Sequence, residues 1–268
     1  MPLVIIDFHT HIFPPRTANK ILLDVNHRAG VPYFTNGTVQ GLIDSMSDAN
    51  IDISVVSRIT PRSDQVNFIH KWLRALRQDC IIPMATWHPE LPINPELISK
   101  LKSQGFKCVK FHPDYQDFFI DEKRMYPFYE AAQAEDMPIL FHAGFDRGLP
   151  PPLHAPPEKL AIICRAFPRL RIIAAHMGGE DNYNETEKYL LGTEIYLDTS
   201  FVLRKMPVSL FKLFIRKHPI ERILFGSDSP WTDQAQELNY LLSLPFLKED
   251  EIEKITGMNA ARILGLHI

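Results

Sequence analysis

Leu3-Val4-Ile5-Ile6-Asp7-Phe8-His9-Thr10-His11 is an apolar run that ends in two histidines. Four successive apolar residues predict a buried strand. Alternate side chains of an extended chain share a face, so His9 and His11 point one way and Thr10 the other. Two imidazoles side by side at the carboxyl end of a strand are half of a metal site. For an isolated His-x-His, one buried and one surface histidine is the plainer account. What stands at the ends of the other strands decides between the two.

Outward from this stretch, strands and helices alternate. Further strands are predicted over Ile53–Ser57, Pro83–Trp87, Cys108–Phe111, Pro138–His142, Arg171–His176, Ile195–Thr199 and Ile223–Phe225. Residues 13–36, with Pro14, Pro15, Gly30 and Pro32, read as an irregular segment. Helices are predicted over 38–49, with Thr38 as N-cap, and over 63–80, 94–103, 126–135, 158–166, 185–191, 208–217, 234–244 and 249–264. About eight strand–helix repeats in 268 residues predict a (β/α)8 TIM barrel, α/β in class, spanning 1–268 as a single domain.

Composition narrows the function. With 45% apolar and 23% charged residues the chain has the make-up of a globular enzyme. A formal net charge of -3 gives no basic field for nucleic acid. No apolar run is long enough to cross a bilayer, and the short run before Asp7 is no secretory leader. Cys80, Cys108 and Cys164 are odd in number and widely spaced, which argues against a disulfide framework and for a cytoplasmic protein.

Active sites of such barrels lie at the carboxyl ends of the strands. There the sequence sets His9 and His11, His88, Lys110 and His112, His142, His176 and Asp228. Any one of these histidines is ordinary; His9, His11, His142, His176 and Asp228 together are not. Imidazoles with one carboxylate suit Zn²⁺, with Mn²⁺ or Fe²⁺ as alternatives. An open coordination position would activate water. Asp228 would accept its proton and hand it to a leaving group, while His176 polarises a carbonyl.

The chain resembles the amidohydrolase superfamily, in its amidohydrolase-related (amidohydrolase 2) branch, which also contains aminocarboxymuconate-semialdehyde decarboxylase and other decarboxylases. The matching pieces are Asp-Phe-His-Thr-His (7–11), Gly-Phe-Lys-Cys-Val-Lys-Phe-His-Pro (105–113), Leu-Phe-His-Ala-Gly (140–144), Ala-His-Met-Gly-Gly (175–179), Leu-Phe-Gly-Ser-Asp-Ser-Pro-Trp (224–231) and Gly-Met-Asn-Ala-Ala-Arg-Ile-Leu-Gly-Leu (257–266). The resemblance implies a distorted barrel in which His9, His11, His142 and Asp228 bind a metal. It implies that His176 is a catalytic acid/base or a ligand to a second ion. Some members carry a carbamylated lysine that bridges two metals where Lys110 stands; one ion is the commoner state in this branch. The alternative for Lys110 is a lysine that snorkels at the mouth or pairs with a carboxylate.

Weaker candidates surround these. His88 and His112, each followed by proline, read as rim residues that either touch substrate or pack. Arg58, Arg147 and Arg204 lie in strand-end loops where a substrate carboxylate could be paired. Trp231 either walls the pocket or packs in the core. Gly178 and Gly179 follow a strand, and the proline-rich stretch 148–157 suggests a stiff flap over the site.

The expected activity is metal-dependent hydrolysis of a small-molecule amide, ester or lactone. The same ligands would serve a non-oxidative decarboxylase of an aromatic or enol acid, and a metal-free lactonase is a further alternative. A structural zinc is disfavoured because no cysteine stands near the set. The partner is a small molecule, neither nucleic acid nor membrane, and the tail helices either cap the barrel or meet a second copy.

Overall fold

The computed structural model describes residues 4–268, so Leu3 of the opening run lies outside the described residues. The first strand is β1 (Ile6–His11), buried along its whole length. In place of an irregular segment comes a helix, α1 (Pro15–Ala29). Pro15 takes a first-turn position where its missing N–H costs nothing, and Gly30 closes the helix at φ 66° with its N–H on Asn26 O. Only Ala18 and Leu22, one turn apart, are buried from it. So thin an apolar stripe hides a helix from a periodicity search.

Next are α2 (Val39–Ala49) and β2 (Ile53–Ser57). Thr38 caps α2 as expected, accepting the Gly41 N–H on its side chain. A single 3₁₀ turn then leads into α3 (Val66–Arg74), which stops six residues before Cys80. No glycine or proline stops it there. Beyond it, Cys80 O accepts the Ser54 N–H, so this end of the segment pairs with β2 instead of continuing the helix.

The third expected strand is split into β3 (Ile81–Pro83) and β4 (Ala85–Thr86). Pro83 has no N–H with which to continue a ladder. The remaining elements are α4 (Leu97–Ser103), β5 (Val109–Phe111), α5 (Tyr126–Ala134), β6 (Ile139–Phe141), α6 (Pro157–Ala166), β7 (Ile172–Ala174), α7 (Tyr183–Tyr189), β8 (Tyr196–Asp198), α8 (Val208–Lys217), β9 (Ile223–Leu224), α9 (Gln234–Leu242), α10 (Glu249–Glu253) and α11 (Asn259–Leu264). A π-turn over Lys254–Met258 joins α10 to α11. No described helix is long and apolar enough to cross a membrane.

The chain forms two compact units. The first holds residues 4–56, 79–82 and 198–268, with strands ordered β1-β2-β3 in one sheet. The second holds residues 57–78 and 83–197. In it β4, β5, β6, β7 and β8 lie side by side and parallel, in chain order. That order is what strand–helix–strand crossovers produce.

Alternation along β5 separates core from chemistry. Val109 and Phe111 share one face and Lys110 takes the other. Phe111 meets Phe118, Phe128 and Phe141 at ring distances of 5.6, 5.1 and 5.8 Å. Tyr129 closes the cluster, its hydroxyl donating to Ile120 O. Burying each such ring contributes roughly 2–3 kcal/mol, so this cluster anchors β5 and β6.

Candidate metal centre

In the first unit β1 delivers two imidazoles to one place. The rings of His9 and His11 lie 5.1 Å apart, as two positions on one strand face should. Asp228 joins them from the loop after β9. Its Oδ1 is 3.0 Å from His11 Nε2 and 3.4 Å from His9 Nε2. All three side chains are buried.

Backbone pairing explains the meeting. Phe8 N donates to Phe225 O, Asp228 N to His9 O, and His11 N to Ser229 O, so residues 225–229 run alongside β1. Gly226 sits where a Cβ would come within 2.9 Å of His9 Cβ. Asp228 itself has φ 75°, a left-handed conformation that is uncommon for a residue with a side chain. Such strain, about 1–3 kcal/mol, persists where surrounding structure imposes it and gathers at functional sites.

Asp7 holds this arrangement from behind. Its carboxylate is fully buried and accepts from Ser227 N and Ser227 Oγ at 2.9 and 2.6 Å, from Gln234 Nε2 at 2.8 Å and from His9 N at 3.2 Å. Burial pushes the Asp7 carboxyl up to about 6 in spite of those donors.

His9 is oriented through its other nitrogen. Nδ1 lies 2.9 Å from Asp198 Oδ2 and 2.9 Å from Ser200 Oγ. Ser200 Oγ in turn donates to Asp198 Oδ1 at 2.5 Å. With Nδ1–H donating to Asp198, Nε2 carries a lone pair. That lone pair faces the Asp228 carboxylate, an unfavourable meeting unless a cation or proton stands between them. The donor set therefore fits a divalent ion. Asp198 ends β8 and His142 directly follows β6, so the strand-end rule that found the histidines also reaches this carboxylate; Ser200 and Gln234 carry no such signal.

The second unit gathers the other expected residues. His142 follows β6 and donates its N–H to Phe111 O. Its Nδ1 is 3.0 Å from His176 Nε2. Its Nε2 is buried with no hydrogen-bond partner, as an atom awaiting a ligand would be. Burial first, then neighbouring His112, His176 and Lys110, holds its pKa well below the usual histidine range, so the ring is neutral and can coordinate. His176 and Met177 are both left-handed, at φ 58° and 53°.

His112 stacks on His142 at 3.9 Å with an 11° tilt, and its Nε2 is 3.2 Å from Asp146 Oδ2. Near-parallel stacked rings aim their lone pairs side by side rather than at one point, so these two imidazoles are poor joint ligands although Asp146 stands within reach of both. Tyr115 N donates to His112 Nδ1, which leaves the His112 proton on Nε2, directed at Asp146. Gln116 fixes His112 from the backbone side: its Oε1 accepts His112 N–H and its Nε2 donates to Trp87 O.

Lys110 is 1% exposed, which removes the snorkelling alternative. His88 is pinned in its own loop, with Glu90 N donating to Nδ1 and Pro61 O beside Nε2. Arg147 Nε donates to Glu180 Oε1 at 3.1 Å, and Asp181 stands 3.7 Å away. Arg204 donates to Gln236 Oε1. Trp231 packs on Phe13 at 6.2 Å. His154 ties the 148–157 stretch down, its N–H on Asp114 Oδ1 and its Nδ1 2.9 Å from the same oxygen.

The amidohydrolase family model matches residues 6–266. No curated protein matches the chain. Among solved structures, an uncharacterised TIM-barrel protein of Bordetella bronchiseptica is similar with 20% identity, 98% of this chain and 99% of that one covered, and a TM-score of 0.77. A Pseudomonas putida protein assigned as a 2-pyrone-4,6-dicarboxylic acid hydrolase matches with 13% identity, 100% of both chains and a TM-score of 0.72. A 5-carboxyvanillate decarboxylase of Novosphingobium aromaticivorans, with bound manganese and 3-methoxy-4-hydroxy-5-nitrobenzoic acid, matches with 14% identity, 99% and 98% coverage and a TM-score of 0.71. These likenesses show the fold, a distorted (β/α)8 barrel. With the family model matched over nearly its whole length, the chain belongs to the amidohydrolase family.

Proposed function

We propose that the protein is a divalent-metal-dependent hydrolase that adds water to the amide, ester or lactone carbonyl of a small molecule. The observation that carries this reading is the meeting of the buried His9 Nε2 and His11 Nε2 on Asp228 Oδ1. These three are the nucleus of the ligand set. His142, expected from the resemblance as the fourth ligand, offers a neutral and unpartnered Nε2. Imidazole-rich sets with one carboxylate favour zinc, with manganese and iron as alternatives, and we take one ion rather than two.

A divalent ion there would supply positive charge that acidifies a water and polarises a carbonyl. Asp228 takes the proton of the attacking water and delivers it to the leaving group. Asp198 and Ser200 keep the His9 lone pair aimed inward. His176, at hydrogen-bonding distance from His142, orients that ring and serves as the acid/base group. Lys110 and His112 are further candidates for substrate contact. Arg147, Trp231 and His88 are read as packing and loop-pinning residues, since each has a structural partner. Three free cysteines are in keeping with a cytoplasmic location.

The test is metal content by elemental analysis, paired with a hydrolysis screen before and after chelation. We expect one equivalent of metal and an activity that chelation abolishes and zinc or manganese restores. Full activity in metal-depleted protein rejects the reading. The fold likeness to a manganese-bound decarboxylase favours a second reading, loss of CO₂ from an aromatic or enol acid. Release of CO₂ with no uptake of solvent oxygen by the product would select it.

A further inference from the structure

The second unit carries a half-open groove of about 570 Å³ between α3 and α4. None of the candidate metal ligands lines it. Lys71 and Arg74 project into it from α3, three residues apart and therefore on one helix face. Lys100 enters from α4. Not one carboxylate lines the groove, although the chain as a whole has more acidic than basic residues. Lys71, Arg74 and Lys100 are exposed, and none forms an ion pair among the described residues.

Like charges on one helix face destabilise it by a few tenths of a kcal/mol, and an anion between them reverses the sign. Elsewhere on this surface the pattern is the opposite: Lys159 has Asp121, Arg171 has Asp136, Arg216 has Glu251 and Lys254 has Glu221. Buried Leu97 and Leu101 line the groove, and Trp87 lines it as well. Its volume lies within the range of small-molecule sites, roughly 300–1,000 Å³.

We propose that this groove binds a small organic polyanion. Its carboxylate or phosphate oxygens are held by Lys71, Arg74 and Lys100, and its carbon skeleton rests on Leu97, Leu101 and Trp87. His70 forms part of the wall, with its Nε2 engaged with the backbone of Thr86. The assignment is independent of the metal-centre chemistry.

The experiment is calorimetric titration of the full-length protein with tricarballylate and, separately, with glycerol 2-phosphate, at low chloride. The two arms separate carboxylate from phosphate. Saturable one-to-one binding of at least one anion is expected, weakened about tenfold or more in the K71Q/R74Q/K100Q variant, since charge-assisted contacts dominate. The same binding is expected to persist in Asp228→Ala, which separates the groove from the metal centre. All three replaced side chains are exposed, so the variant should fold, and circular dichroism checks that it does. Binding unchanged in the triple variant, binding lost in Asp228→Ala, or no saturable binding of either anion would each overturn the proposal.

Discussion

His9 Nδ1 stands 2.9 Å from Asp198 Oδ2, and this contact sets which nitrogen of the ring is left for coordination. The carboxylate accepts the Nδ1–H hydrogen bond, so Nε2 keeps its lone pair toward Asp228. Asp198→Asn keeps the size and removes the charge. An asparagine also permits the flipped tautomer, in which Nε2 is protonated. We expect metal affinity to fall about 10- to 100-fold, with the fold retained, as for other carboxylate–histidine–metal relays. Competition against a chromophoric chelator measures this. Ser200→Ala, which removes only the secondary contact, should lose less; an unaltered affinity in Asp198→Asn would reject the relay.

Removing a ligand should act on metal and activity rather than on folding. His11→Ala, Asp228→Ala and His142→Ala are each expected to abolish turnover and reduce bound metal below one equivalent. Circular dichroism should stay native, because none of the three side chains belongs to the aromatic core around Phe111. Metal retained at full occupancy in His142→Ala would remove it from the ligand set.

Asp7 acts on the same centre without touching the ion. Its two oxygens accept four hydrogen bonds from Ser227, Gln234 and the His9 backbone. Asp7→Asn turns one of those oxygens into a donor facing donors. Hydrogen bonds to a charged group contribute about 1.5–3 kcal/mol each, so a loss near 3 kcal/mol in stability is expected. Ser227 precedes Asp228, so the variant should also weaken metal binding. Denaturation in chelator separates the two effects: the stability loss must persist without metal, and the affinity loss must exceed that of a distant core variant of equal stability.

The candidate ligands were legible from the sequence because their rule is local. A strand end, a period of two and an imidazole suffice for His9, His11 and His142. Thr38 and the helix it caps were legible for the same reason. What escaped depends on distant pairing. Asp198 and Ser200 matter only because β1 brings His9 to them across 189 residues of chain. Arg147 reads as a free cation until Glu180 is seen beside it, held there by backbone bonds to Ala143 and Phe145. α1 was hidden by its two-residue apolar stripe, and beyond the early end of α3 the chain pairs with Ser54.

Glu237 on α9 offers a pH test apart from the ligands. It is 3% exposed, its Oε2 has no partner, and Arg204 reaches only to 3.9 Å from Oε1. Burial, ahead of Arg204 and Lys205 acting the other way, pushes its carboxyl up to about 7 from 4.5. The sign follows from proton uptake. Below pH 4.5 both folded and unfolded chains are protonated here, and the group costs nothing. Between 4.5 and 7 only the folded chain keeps the proton, so stability falls as pH rises, and above 7 the loss is complete. Integrated over that window the loss is about 3 kcal/mol. Glu237→Gln removes it, and should be more stable than the parent at pH 8 while matching it near pH 4.5. Urea unfolding of metal-free protein at the two pH values reads the difference directly. Parallel pH profiles for parent and variant would mean that Glu237 is ionised in the fold with its charge fully compensated.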